Sequence, residues 1–432
     1  MTKPLYLLMI PFLIAALTGC EDSEEISDSS DASNYAVKMG GIFPFSGALL
    51  EFGKPLHQSA LLATKHWVEA GFPIGWVVVD SKSNPNTGAD AARELIEIGD
   101  IQVIIGAAAS SSTIAVAEQV AIPNQIPLIS YASTSPEITT LADQDFVFRT
   151  VPSDASQGIV LADVAYNDKG YRNLSILYIE NAYGKGLKDV FKDNFEALGG
   201  KVVAEIPHSE TKGDDIQVRK TYLSALQQAQ TGNSEALVAM SYSQQSNVYI
   251  DEAIRGNFFG EILFVDGSKS EDIIGIIGPD ILEGMCGTAP GSISTESLNI
   301  FNASYKEEYG ELPSLPFMSN TYDAVIIAGL AAYAAQAIGE AITPITIRDY
   351  LRRVADPAGI QVIAGPTGLK RAMKTLDAGL TINYQGASGE VNFDENGDVI
   401  VAFIEIWCYE EGTIKQRQLC TVDIENQSSE CN

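Results

Sequence analysis

The chain has 432 residues, 46% of them hydrophobic and 19% charged, which is enough apolar material for two globular cores. Its net charge is −29, and a surface this acidic repels a phosphate backbone, so we expect no nucleic-acid partner. Only three histidines are present, which argues against metal or acid–base chemistry built on imidazole, and we expect no cofactor.

The N-terminus has the pattern of an export signal. Lys3 precedes an apolar run from Leu5 to Leu17, which is too short to span a bilayer and fits the core of a signal peptide. Small residues before Cys20 resemble a bacterial lipobox, in which the cysteine is lipidated; the alternative is an ordinary signal peptide with an incidental cysteine. We expect residues 1–19 to be removed and Cys20 to anchor an exported protein to a bacterial membrane, with its body in the periplasm or at the cell surface.

An acidic tether follows the cysteine. Residues 21–34 carry six acidic residues, no basic residue and no apolar periodicity, so residues 20–34 are predicted to be disordered. The body that remains is also acidic, and the simplest interpretation of its charge is solubility.

From Tyr35 onwards short apolar strands alternate with helices, which is typical of parallel sheets buried on both faces. The first series has strands 37–43, 76–80, 103–105 and 127–130 with helices 55–70, 88–98 and 113–124. The second has strands 174–179, 202–206, 236–240 and 262–265 with helices 186–198, 216–230 and 246–255. Two similar series predict two lobes of one architecture.

The later chain is predicted to contain helices 296–309, 319–339 and 346–355, then strands 389–393 and 399–409. The apolar stretch Ala324–Ala337 is interrupted by polar residues and glycine, so we interpret it as a buried helix. Asn396-Gly397 indicates a hairpin turn. The acidic residues around this turn lack the twelve-residue spacing of a calcium loop.

Four cysteines remain once Cys20 is assigned to the lipid: Cys286, Cys408, Cys420 and Cys431. An exported compartment permits disulfides, and four cysteines allow three pairings. We expect a Cys408–Cys420 bridge that closes the final hairpin region. No CxxC spacing supports a zinc site.

Four polar loops follow predicted strands, at the sheet edge where ligands gather in open α/β proteins. They are residues 106–113, 130–136, 181–186 and 266–268. The first two are rich in hydroxyls that could bind an anion at a helix start, the third offers an aromatic ring, and the fourth a carboxylate that could face an ammonium group. Helix capping and ordinary turn chemistry are the alternatives.

Enzyme motifs are not evident. Gly47, Gly53 and Lys54 are spaced by one residue too many for a phosphate-binding loop, and Pro55 stands where that loop needs Ser or Thr. No GxSxG or HExxH motif is present. A hydrolase using a loop serine has no His–Asp partners to support it.

The loops resemble those of the branched-chain amino-acid (Leu/Ile/Val) binding proteins, type 1 periplasmic receptors of ABC importers. The matching segments are VKMGGIFPFSGALLEFG at 37–53, GAAASSST at 106–113, PLISYASTSPEIT at 127–139, NAYGKGL at 181–187 and INYQGASGEVNFDENGDV at 382–399. This resemblance implies an α/β fold of two Rossmann-like lobes with parallel sheets, joined by a three-strand hinge. It also implies a binding protein and not an enzyme.

The resemblance assigns roles to residues of the lobe that comes first. In that family the first serine of the SSST loop binds the ligand's α-carboxylate, which implies Ser110. Contacts to the ligand backbone imply Ala132 and Thr134. An aromatic residue of the first loop corresponds to Phe52, where the classical members have tyrosine, and Ala109 stands where they have a disulfide cysteine.

The other lobe supplies the remaining predicted contacts. The tyrosine of the YGxG loop corresponds to Tyr183, a later tyrosine falls at Tyr242 within one residue, and the acidic residue for the ammonium group falls at Asp266. The resemblance thus implies an amino acid or a small relative of one as ligand.

The predicted lobe 1 comprises residues 35–152 and 288–400, and lobe 2 residues 153–287 and 401–432, with crossovers near 152, 287 and 401. Closure would present the ligand to the membrane permease of an ABC transporter. The rival within the binding class is a sensor for an amide or a small organic acid.

Overall fold

A computed structural model of the protein describes residues 35–210, 221–424, 426 and 428–432. The predicted signal peptide, the lipidated Cys20 and the acidic tether lie outside these residues.

The first part of the chain forms a sheet of five parallel strands in the order β2-β1-β3-β4-β5. The strands are β1 (Val37–Phe43), β2 (Ile74–Asp80), β3 (Val103–Ile105), β4 (Leu128–Ser130) and β5 (Val147–Arg149). Helices α1 (Leu50–Ala70), α2 (Pro85–Ile98) and α3 (Ser110–Val116) connect them, and α3 continues through a π-turn (Ala117–Ala121) into the short α4 (Ile122–Asn124). The middle strands β3 and β4 are buried along their whole length, as predicted for strands covered on both faces.

The second series follows with helices α5 to α10 and strands β6 to β10. The helices are α5 (Asp154–Asp163), α6 (Ala182–Ala197), α7 (Leu223–Ala229), α8 (Ser243–Arg255), α9 (Asp272–Ile277) and α10 (Pro279–Leu282). The strands are β6 (Asn173–Ile179), β7 (Lys201–His208), β8 (Ala236–Met240), β9 (Ile262–Phe264) and β10 (Cys286–Pro290). The predicted helix 216–230 corresponds to α7, and its first five residues lie outside the described chain.

The chain then returns to lobe 1 with α11 (Glu296–Tyr309), α12 (Met318–Ala337), α13 (Pro344–Leu351), β11 (Ile360–Ile363), α14 (Gly365–Asp377) and β12 (Ile382–Gln385). Strands β11 and β12 form a separate two-stranded parallel sheet. Helix α12 is buried from Met318 to Ala335 and packs on α1, which confirms the predicted buried helix. A Cβ at Gly329 would lie 2.5 Å from the Trp67 indole, so this glycine allows the two helices to approach closely. Within the described ranges, no helix is both long and apolar enough to cross a membrane.

The C-terminal strands extend the second sheet on one side. They are β13 (Ala402–Glu410), β14 (Thr413–Asp423) and β15 (Ser428–Cys431), and the sheet order is β15-β14-β13-β10-β9-β8-β6-β7. These added strands pair antiparallel, while β6 to β10 pair parallel. We call the part around the five-stranded sheet lobe 1 and the part around the eight-stranded sheet lobe 2. The boundaries near 152, 287 and 401 stay predictions.

Two expectations for the chain after residue 380 need correction. Residues 389–393 form no strand and make only isolated bridges, because the preceding loop bonds to a side chain instead of to a neighbouring strand: Asp323 accepts from the N–H groups of Ala387 and Ser388. The predicted strand 399–409 begins only at Ala402. The predicted turn is present, with Gly397 at φ 78° and the Asp394 N–H donating to the Asp398 carbonyl at 2.8 Å.

The predicted Cys408–Cys420 bridge is wrong; the disulfides are Cys286–Cys408 and Cys420–Cys431. Each observed pair faces across neighbouring antiparallel strands, β10 with β13 and β14 with β15. On the β13–β14 hairpin, Cys420 lies opposite Ile404 and not opposite Cys408. Cys408 lies four residues beyond Ile404, so it is displaced from Cys420 by about 13 Å along the strand, which is beyond the reach of a disulfide.

Candidate functional site

A cavity lies between the lobes at the carboxyl ends of the parallel strands, with a volume of about 340 Å³ including its open side. It is lined by Leu49, Phe52, Leu56, Ala108, Ser110, Ala132, Tyr183, Tyr242, Asp266, Gly267 and Phe317. Six of the seven predicted ligand contacts are among these residues; Thr134 is not. Their roles in binding stay predictions.

The wall from lobe 1 is built at the start of α3. Ser110 is the first residue of that helix, and its hydroxyl accepts from the Ser135 N–H at 3.2 Å. The hydroxyls of Thr113 and Ser133 lie 2.7 Å apart and bond to the main chain at Ala107, so they hold the two hydroxyl-rich loops together. Some of the hydroxyl groups in these two loops therefore stabilise the fold. Ser110 places the start of α3 at the cavity, and helix starts are common anion sites; the Ser112 and Thr113 N–H groups bond to the Ala109 carbonyl.

The wall from lobe 2 is a pair of stacked rings. Tyr183, in the first turn of α6, stacks on Tyr242 with ring centroids 5.4 Å apart and planes 11° apart. The Tyr183 hydroxyl donates to Asp266 Oδ1 at 2.6 Å and accepts from the Gly267 N–H at 3.1 Å. A Cβ at Gly267 would lie 2.8 Å from the same hydroxyl, so glycine allows this contact.

Asp266 lines this end of the cavity, and Asp154 is a second buried carboxylate close to it that is not among the lining residues; we call the two the acid pair. Burial raises the pKa of Asp154 well above its usual range, and the charge of Asp266 raises it further. Burial also raises the pKa of Asp266, although Tyr183 and Gln157 donate hydrogen bonds to it. Neither carboxylate forms an ion pair with a described Lys or Arg. Arg149 is near enough to lower the pKa of Asp154 but is paired with Asp398.

Thr134 supports the acid pair from behind. It is fully buried, and its carbonyl accepts from the Asp154 N–H at 2.7 Å. Its hydroxyl lowers the pKa of Asp154, although the two side chains do not reach the geometry of a full hydrogen bond. Thr134 therefore positions Asp154 and lies outside the cavity lining.

Asp154 was missed because no helix was predicted at residues 154–163, where the structure has α5. Ser153 caps α5 by accepting from the Ala155 N–H at 3.3 Å, and Asp154 is fully buried, with no hydrogen-bond partner for either oxygen in the described part of the chain. One capping residue suffices for a helix, so the second polar residue was the available signal.

The opposite end of the cavity is apolar. Phe52 and Phe317 have ring centroids 6.2 Å apart, and Leu49 and Leu56 complete this end. Phe52 lies in the first turn of α1, because this helix begins at Leu50 and not near residue 55 as predicted. Within the described residues, no cluster of three or more His, Cys, Asp or Glu side chains is placed to hold a metal ion.

Comparison with known proteins identifies the architecture. The family model described as periplasmic binding protein matches residues 36–384. The chain belongs to this family. Its fold is that of a leucine binding protein, LivK, from Thermotoga maritima, with a TM-score of 0.71 and 25% identity over 89% of this chain and 98% of the other. The isoleucine-bound LivJ of Streptococcus pneumoniae has the same fold, with a TM-score of 0.71 and 20% identity over 92% and 99% of the two chains.

A named relative is 29% identical to this chain over 370 residues, which cover 82% of this chain and 83% of the relative. It is the chemotactic signal transduction system substrate-binding protein BasB of Halobacterium salinarum. The family and these structures establish a solute-binding protein with a type 1 periplasmic binding fold. The solute and the downstream partner are not established by them.

Proposed function

We propose that the protein captures an amino acid with an apolar side chain in the interlobe cavity and does not transform it. The observation that carries this proposal is the acid pair, Asp154 and Asp266: Asp266 lines the cavity, neither carboxyl group has a cationic partner among the described residues, and a positive charge on the ligand would stabilise their ionised form. An α-ammonium group supplies that charge and several donors.

The rest of the cavity complements the rest of such a ligand. Ser110 and the first N–H groups of α3 are suited to a carboxylate. Phe52 and Phe317, with their leucine neighbours, favour an aliphatic or aromatic side chain. A solute-binding protein of Rhodopseudomonas palustris with this fold holds benzoate, but an organic acid without an amino group would leave the acid pair unmatched here.

The proposal extends to export and delivery. The signal-like start, with Cys20 after small residues, supports a protein anchored by lipid to a bacterial membrane with its body outside the cytoplasm. Membership of the family that includes LivK and LivJ supports delivery of the amino acid to the membrane permease of an ABC importer.

A second candidate has its own support. BasB, which is similar over most of both chains, is named for chemotactic signalling. In that case the closed form would be recognised by a membrane signalling partner instead of a permease, with the same cavity and the same ligand class.

The test is a thermal-shift panel of the purified chain with amino acids, the corresponding amides and organic acids, followed by calorimetry. L-leucine, L-isoleucine or L-phenylalanine should stabilise the protein and be recovered unchanged, whereas the deaminated analogue 4-methylpentanoate should not bind. Stabilisation by 4-methylpentanoate or benzoate alone would contradict the amino-acid proposal, and product formation would contradict a binding role. Deleting the gene and measuring amino-acid uptake and chemotaxis separately distinguishes importer from sensor.

A further inference from the structure

A carboxylate at the mouth of the cavity joins the two lobes. Glu51 lies in the first turn of α1, next to the cavity-lining Phe52 of lobe 1. Its two oxygens accept from the hydroxyl of Ser270, in lobe 2, at 3.2 and 3.3 Å. Ser270 is fully buried and follows Gly267, which lines the cavity, by three residues. The contact therefore crosses the cleft beside the proposed ligand.

The same carboxylate faces a second loop of lobe 2. The Ser243 hydroxyl, adjacent in sequence to the cavity-lining Tyr242, is close enough to lower the pKa of Glu51, although it makes no hydrogen bond of good geometry. Glu51 thus faces both lobe-2 loops that supply polar walls to the cavity, without lining the cavity itself.

Ser270 is held in place from its own lobe. Its carbonyl accepts from the Tyr409 hydroxyl at 2.9 Å, and its own hydroxyl accepts from the Asp272 N–H at 3.2 Å. The acidic groups that face Glu51 are Glu271 and Asp272; burial, and then these charges, raise the pKa of Glu51. Closing the cleft therefore forms hydrogen bonds to Glu51, but it also desolvates this carboxylate and brings it near two other acids. Because these effects oppose each other, the contact is weak enough to break when the cleft opens.

The opposite rim of the cleft closes differently. There the Ser135 hydroxyl donates to the Ala182 carbonyl at 2.9 Å, and a Cβ at Gly186 would lie 2.7 Å from Pro136. At that rim the acceptor is a main-chain carbonyl and the packing is close, whereas at the Glu51 rim the acceptor is a carboxylate side chain that reaches across.

We propose that Glu51 is a positioning residue that clamps the closed cleft through Ser270 and so determines how long a captured solute stays. The inference depends on the proposed function only in requiring a cleft that opens and closes around a solute. Because Glu51 does not touch the cavity, its loss should act on release and leave the choice of ligand unchanged.

The experiment compares the full-length wild type with Glu51→Ala, Glu51→Gln, Ser270→Ala and the double Ala variant, using L-isoleucine as the probe. Glu69→Ala is the matched control, since Glu69 is an exposed acid on the same helix. Stopped-flow fluorescence measures the release rate, calorimetry the preference for L-isoleucine over L-alanine, and small-angle X-ray scattering the radius of gyration without ligand.

We expect roughly tenfold faster release in Glu51→Ala, since a hydrogen bond to a charged group is lost. The amino-acid preference should be unchanged, Glu51→Gln should keep most of the clamp, and the double variant should release no faster than either single one. Release at the wild-type rate, or additive effects of the two substitutions, would refute the clamp. If no amino acid binds, the proposed function fails, and the clamp is then tested only by the radius of gyration without ligand. A larger radius of gyration in Glu51→Ala than in the wild type supports the clamp, and an equal radius of gyration overturns it.

Discussion

Replacing Asp154 with Asn should have two opposite effects, weaker amino-acid binding and a more stable ligand-free protein. Asp154 is fully buried, and neither of its oxygens has a hydrogen-bond partner among the described residues. The charge is therefore costly in the empty cavity and useful only when an ammonium group is present. Asp266→Asn should weaken binding in the same way, but it also removes the acceptor for Tyr183 and Gln157. Asp154→Asn is the cleaner perturbation.

The size of each effect follows from the contacts. A hydrogen bond to a charged group contributes about 1.5–3 kcal/mol, so loss of one carboxylate should weaken affinity roughly 10- to 150-fold. Removing one of two repelling buried charges should stabilise the empty protein by about 1 kcal/mol. For a body of about 400 residues the unfolding entropy makes this a rise in Tm of about 1 °C.

Calorimetry with L-isoleucine at pH 8 measures the first effect, and calorimetric melting without ligand measures the second. Asp193→Asn, an exposed change of the same charge on α6, is the control and should alter neither. Wild-type affinity in Asp154→Asn would remove this residue from the site. A fall in affinity with an equal fall in the melting temperature of the empty protein would mean that Asp154 serves the fold and not the ligand.

Four other predictions follow from the contacts. Affinity for L-isoleucine should fall as the pH is lowered from 8 to 5, because the raised pKa values of the acid pair mean that protons compete with the ammonium group; calorimetry in two buffers should detect proton release on binding. Replacing both cysteines of the Cys286–Cys408 bridge with Ser should cost about 2 kcal/mol more, by chemical denaturation, than doing so for Cys420–Cys431, since the chain separations are 122 and 11 residues. Arg149→Met should destabilise by about 3–5 kcal/mol in the same assay, because it leaves the Asp398 carboxylate unpaired. Phe317→Ala should enlarge the apolar end and shift the preference, in competition calorimetry, from L-isoleucine towards L-phenylalanine or L-tryptophan.

The fold was largely predictable because the strands are short, apolar and regularly spaced. Strands β1, β3 and β8 have the predicted bounds, since each is a buried apolar run that no other structure accommodates as well. The errors fall where a distant group decides the local structure. Residues 389–393 were predicted as the strand before the hairpin turn, but the carboxylate of Asp323, which is distant in sequence, accepts from the N–H groups of the loop before them.

The disulfides show the same limit. Cysteine spacing favoured a bridge within the last hairpin, whereas the pairing depends on which strands lie side by side and in what register. That information is absent from the local sequence, because β10 and β13 are more than a hundred residues apart.

The candidate site, too, could be predicted from the sequence only in part. The four loops at the ends of the parallel strands were located by position, whereas the individual residues, Phe52 and Tyr242 among them, came from the family resemblance. Asp154 and Glu51 were missed because neither lies in one of the four predicted loops: no helix was predicted at residue 154, and α1 was predicted to begin near residue 55. Their surroundings distinguish them in the structure: Asp154 is fully buried beside a second acid, and Glu51 is half-buried against the other lobe. Sequence patterns identify the walls of a two-lobed site, whereas the charges that govern its closing become evident only when the two lobes are seen together.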